Sequence, residues 1–149
     1  MAKVNESVWL NARPEEVWPF IVEPERLMQW RTDIRRFEIL DEEPAGVGTR
    51  FYIEKEVNKE MRRFDCVIER LDENRRFAFA GESPGFASVQ AEYEIVPEGE
   101  GCRFVIRETV NVSGINPLVD RLFVQWGLAR TIRGFLARLR SVVEGNVTR

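Results

Sequence analysis

Residues 116–144 read NPLVDRLFVQWGLARTIRGFLARLRSVVE. Asn116 before Pro117 supplies an N-cap and a first-turn proline, and Asp120 puts negative charge where the helix dipole favours it. Leu118, Leu122, Ala129, Ile132, Leu136, Leu139 and Val143 recur at spacings of three, four and seven, which lines them along one face of a 3.6-residue period. Trp126 and Leu128 widen that stripe. The spacing predicts a single amphipathic helix over about 117–144, roughly 40 Å long at 1.5 Å per residue. A face so apolar must be covered, and the upstream chain reads as its cover.

Val4, Glu6, Val8 and Leu10 alternate with Lys3, Asn5, Ser7 and Trp9, a strand pattern of period two. Two short helices are expected next, one opening at Pro14 and one at Pro24, with Pro19 limiting the first. Six further strands follow, at about Ile34–Asp41, Thr49–Val57, Met61–Leu71, Arg75–Gly81, Phe86–Val96 and Cys102–Val112. Turn-rich breaks such as Asn58-Lys59-Glu60 and Pro97-Glu98-Gly99-Glu100-Gly101 separate them. Connections this short favour an antiparallel meander. In the last strand Cys102, Phe104, Ile106, Val110 and Val112 share one face, opposite Arg103, Arg107, Thr109 and Asn111. The whole chain, 1–149, reads as one α+β domain in which a curved sheet packs on the long helix.

Composition narrows the function. The 149 residues carry a net charge of −3 and no histidine. The charge gives no reason to expect nucleic acid. The missing histidine removes the commonest general base and metal ligand, so neither a metal nor another cofactor is expected. No apolar run reaches membrane-spanning length, and the first ten residues lack a signal-peptide core, so a cytoplasmic protein is expected. Cys66 and Cys102 are too few for a disulfide framework and are expected as buried thiols. No feature fixes an oligomeric state.

Ala12-Arg13-Pro14-Glu15-Glu16-Val17-Trp18, then Trp30, then Gly46-Val47-Gly48-Thr49 resemble the START-like, Bet v 1-like (SRPBCC) superfamily, and within it the polyketide cyclase/dehydrase-like group. The resemblance implies a helix-grip fold: a seven-stranded curved antiparallel sheet around the C-terminal helix, with two short helices after the first strand. It also implies an internal cavity for a small apolar or amphipathic molecule such as a lipid, polyketide or quinone. Members bind or transport such ligands, some are cyclases or dehydratases, and some relatives bind chaperones. The family has no universal catalytic residues, so function must be read from the site.

Three readings follow. The first is a small-molecule binding or carrier protein, with Leu122, Gln125, Trp126 and Ala129 lining a cavity from the helix and Phe64, Tyr93 and Phe104 from the sheet. Gln125, polar within an apolar stripe, would orient a ligand carbonyl or hydroxyl. The second is a cyclase or dehydratase. Glu108 interrupts the inward set of the last strand, and Glu6 that of the first. An unpaired carboxylate in an apolar interior tends to take up a proton, as a general acid must. An arginine beside Glu108 would instead make it structural. The third is a protein-interaction module, which calls for a large apolar patch on the outer sheet face; the outward residues are mostly polar.

Overall fold

The computed structural model describes residues 1–41, 45–119 and 123–146. Seven strands form one antiparallel sheet: β1 (Ala2–Leu10), β2 (Ile34–Ile39), β3 (Arg50–Val57), β4 (Glu60–Asp72), β5 (Arg76–Ser83), β6 (Ala87–Glu98) and β7 (Gly101–Val112), in the order β1-β7-β6-β5-β4-β3-β2. Only β1 is out of sequence order; it pairs with β7, so the first and last strands lie side by side. The boundaries fall within a few residues of those read from the sequence.

Local chemistry accounts for the turns. Asn58 and Lys59 both have positive φ, 51° and 67°, as the two-residue hairpin between β3 and β4 requires. Gly48 has φ +90° and donates from its N–H to the Ile68 carbonyl at 2.8 Å, while Gly46 N–H donates to Thr49 Oγ1 at 2.8 Å. The glycine motif thus turns the chain into β3.

Between β1 and β2 lie three one-turn helices rather than two: α1 (Pro14–Val17), α2 (Pro19–Val22) and α3 (Pro24–Leu27). Each begins at a proline. Pro19 has no N–H and a fixed φ, so it restarts the winding after Val17. Asn116 Oδ1 accepts from Leu118 N–H at 2.8 Å, the expected cap, and opens a short turn, α4 (Pro117–Val119). The long helix α5 runs over Gln125–Asn146. Asp120 and Leu122, which the sequence reading assigned to this helix, lie outside the described residues.

Three bonds orient α5 along edge strand β1. Lys3 N–H donates to Gln125 Oε1 at 3.4 Å, Arg133 pairs with Glu6, and Asn11 N–H donates to Glu144 Oε2 at 2.9 Å. The helix therefore runs in the same direction as β1. Its other flank meets the segment after α3: Arg138 Nε donates to the Gln29 carbonyl at 2.7 Å, and the Phe135 ring lies 4.9 Å from the Arg31 guanidinium. Ile132, Leu136, Leu139 and Val143 are buried between these flanks. The apolar stripe predicted from spacing is thus the buried face in the C-terminal half of α5. In the N-terminal half Gln125, Leu128 and Ala129 are only half-buried and Trp126 is exposed; just before it Val124 is half-buried and Phe123 exposed.

Candidate functional site

The concave face of the sheet is aromatic. Trp30, fully buried, donates from its indole N–H to the Phe20 carbonyl at 2.8 Å and meets Phe104 edge-on at 5.7 Å between centroids. Tyr93 stands among Trp30, Phe77, Phe79 and Phe104. Such edge-to-face arrays add to the energy of simple burial.

Within this wall sits a buried ion network. Arg31 donates from Nε and Nη2 to the two Asp33 oxygens at 3.2 and 3.1 Å, and from Nη1 to Tyr93 Oη at 2.7 Å and Glu108 Oε1 at 3.2 Å. Arg31 and Glu108 are each 4% exposed. The planar guanidinium suits this task, because its fork satisfies one carboxylate bidentately and still has donors left. Burial opposes the charge on Asp33, but Arg31 outweighs it and holds the Asp33 carboxyl below its usual range. Burial keeps the Tyr93 phenol protonated well beyond its ordinary pKa, against the opposing pull of Arg31. The Cys66 thiol is pushed by burial up to about 12 and that of Cys102 to about 11, so both stay protonated, buried and free, as expected.

Beside the network is an internal void of only about 10 Å³, no larger than a single water molecule. Leu27, Arg31, Ile34 and Phe37 line it from one side, Phe51, Ile53 and Lys55 from β3, and Phe79, Val89, Tyr93 and Glu108 from the far strands. Larger depressions of about 440 and 490 Å³ lie open on the outer face, among residues such as Gln90 and Thr109, away from the aromatic wall. That outer face carries ion pairs, including Arg76 with Glu94 at 2.7 Å and Arg107 with Glu94 at 3.0 Å. It has the polar character read from the alternation.

The sequence-predicted site residues are dispersed. Tyr93 and Glu108 do line the void. Phe64 and Phe104 are core residues, 2% and 0% exposed, and do not reach it. Ala129 is half-buried against the core, and Gln125 is spent on the start of β1. Trp126 is not core: the residue is 61% exposed, because the face that turns Gln125 toward β1 turns its neighbour to solvent. Leu122 lies outside the described residues. Glu6 and Glu108 do not share a site; Glu108 lies across from Val4, and Glu6 is taken by Arg133. Arg31, Asp33 and Lys55 were not singled out from the sequence. The signal for Lys55 was present, since it continues the inward alternation of Phe51 and Ile53. Arg31 follows a helical turn and carries no such mark. Among the described residues no cluster of acids and cysteines could hold a metal ion.

A meander closed by its first strand, gripping a C-terminal helix over an aromatic concavity, is the helix-grip architecture. The family model described as "Polyketide cyclase / dehydrase and lipid transport" matches residues 1–144, and the chain belongs to that family. Solved structures share the fold at low identity. A START superfamily protein from Mycobacterium smegmatis is 18% identical, with TM-score 0.81, over 99% of this chain and 100% of that one. A protein from Thermus thermophilus is 22% identical, with TM-score 0.78, over 98% and 99%. The Zhui aromatase/cyclase from a Streptomyces species is 16% identical, with TM-score 0.77, over 98% and 95%. No curated protein matches the chain. Among the described residues no helix is long and apolar enough to cross a membrane.

Proposed function

We propose that the protein binds a small apolar or amphipathic molecule between the concave face of the sheet and α5, admitted at the end where α5 begins. The carrying observation is the contrast along that helix. Its C-terminal half is fixed by Ile132, Leu136, Leu139 and Val143, whereas no residue from Phe123 to Thr131 is fully buried. The interior void is small, so a ligand must widen it, and the loosely seated half of α5 is the part that can yield at least cost. The aromatic wall with a few convergent polar groups is the usual make-up of a ligand site. The family's description, which covers lipid transport as well as cyclisation, supports the same reading.

A cyclase or dehydratase reading through Glu108 is less well supported. That reading needed an acid without a cation, and Arg31 lies 3.2 Å from the carboxylate. The interaction-module reading needed an apolar outer face, and ion pairs occupy it.

A fluorescence titration with the neutral dye N-phenyl-1-naphthylamine tests the binding reading. The dye should bind saturably at one site, and Ala129→Trp, which adds a ring to the half-buried helix face, should weaken it about tenfold or more. An absence of saturable binding, or indifference to the added ring, would remove the support for an interior site under α5.

A further inference from the structure

The β3–β4 hairpin sets Lys55 directly across from Arg62. Both point into the concavity: Lys55 follows Phe51 and Ile53, and Arg62 precedes Phe64, Cys66 and Ile68, all five of them buried. Like charges opposed across a strand pair repel. Ordinarily this chain avoids such a conflict by placing an acid two residues along the same strand face, as in Arg36 with Glu38, Arg63 with Asp65 and Arg70 with Asp72. Lys55 has Ile53 and Val57 at those positions. Among the described residues no carboxylate lies within 4.0 Å of its Nζ, and what lies beneath it is the Phe64 ring, 4.9 Å away. Arg62 reaches Glu60 with Nη2 at 2.6 Å, at the solvent rim, and its guanidinium covers the Phe86 ring at 4.4 Å. Its Nε is buried and has no acceptor. A buried, unsatisfied donor on a charged group is rare enough to need a cause.

We propose that Lys55 and Arg62 form a head-group site for the carboxylate of an amphipathic ligand; this rests on the interior-binding reading above. Arginine offers Nε to a carboxylate oxygen in the plane of its fork, and lysine adds a compact second charge. The pair is well placed for that role. The pair lies at the same end of the sheet as the β5–β6 turn with Phe86, the start of β6 at Ala87, the end of β7 at Val112 and the start of β1, the end at which Gln125 begins α5. Lys55 also lines the internal void together with Ile53, Phe51 and Phe79, so a tail running inward from the head group meets apolar and aromatic walls at once. Burial, and after it the nearby Arg31, weakens the hold of Lys55 on its proton, against the weaker opposing pull of Glu108 and Asp33; an incoming anion reverses that disadvantage.

The test compares cis-parinaric acid with its methyl ester, which has the same chain and fluorescence but no charge. The wild-type protein should bind the acid at least tenfold more tightly than the ester. Lys55→Met and Arg62→Gln should each abolish that preference by weakening the acid alone. Arg62→Lys keeps the charge but deletes the orphan Nε donor; it should weaken the acid several-fold, and it serves if a neutral variant fails to fold. Equal binding of acid and ester by the wild type, or a preference that survives all three substitutions, overturns the head-group site and leaves the binding reading intact. If neither probe binds, the binding reading fails and the head-group site falls with it.

Discussion

Two groups of charged residues face the interior of this sheet, and they are built in opposite ways. Around Arg31 every charge is answered: Asp33 takes two donors, Glu108 and Tyr93 share a third nitrogen, and the Phe135 ring covers the guanidinium. At Lys55 and Arg62 two cations oppose each other, the Phe64 ring stands where a counter-ion to Lys55 would be, Arg62 pairs only with Glu60 at the solvent rim, and its Nε has no acceptor. Buried charge is tolerated when its network is complete within the chain. Where the network is incomplete, the missing part is to be sought outside the chain. The first group belongs to the fold and the second to recognition, and the difference can be tested by removing one member of each.

The largest effect is expected at Arg31. Arg31→Met keeps much of the side-chain length and removes the cation. Glu108, at 4% exposure, and Asp33 then lose their hydrogen-bonded cation, leaving only the more distant Lys55 ammonium to answer two carboxylates. Breaking a buried pair from one side costs about 3–5 kcal/mol. Chemical denaturation should show a loss of that size with an unchanged m-value. A loss under about 1 kcal/mol would mean that water already solvates the network, and the contrast between the two groups would vanish.

Asp33 sharpens the comparison through pH. Its folded pKa is depressed by Arg31 in spite of burial, while the unfolded value is about 3.9. A depressed carboxylate contributes stability that is fully present above the unfolded pKa and is lost as pH falls through the folded one. Asp33→Asn should therefore be less stable than wild type by about 1.5–3 kcal/mol near neutrality, the range for hydrogen bonds to a charged group. The gap should close as pH drops below about 4. Thermal melts between pH 7 and pH 2 would show it. A gap independent of pH would indicate that the carboxylate charge contributes nothing.

Most of the fold was legible because it is written in local periods. Alternation of period two located the strands, and turn chemistry such as Asn58-Lys59 fixed where they fold back. Glu108 was identified as an inward acid from alternation alone. Its partner was not, because Arg31 comes from a turn 77 residues away that has no periodicity to read. The helix misled for a related reason. Spacing shows which residues share a face, but not which half of the helix the sheet covers. In the N-terminal half no residue is fully buried, and Trp126 is exposed although its neighbour Gln125 touches β1. A Cβ at Gly127 or Gly134 would meet nothing within 4 Å, so neither glycine of the helix marks a close packing contact.

The smallest effect is expected at Lys55, and its sign is the point. Lys55→Met keeps a flexible four-atom chain over Phe64, where thioether and ring pack favourably. It deletes one of two opposed cations and the burial cost that already weakens the proton affinity of the amine. A residue that holds the fold together loses stability when removed. A residue kept for a ligand loses none, because evolution tolerates local strain at functional sites. The unliganded variant should thus be equal to wild type or more stable, by up to about 1 kcal/mol, the scale of a cross-strand charge pair. Denaturation of unliganded protein at low ionic strength, where the repulsion is least screened, gives the best resolution. A loss of about 2 kcal/mol or more, the scale of a broken buried interaction, would place Lys55 with Arg31 among the structural charges, and the division of the interior into a complete and an incomplete group would have to be abandoned.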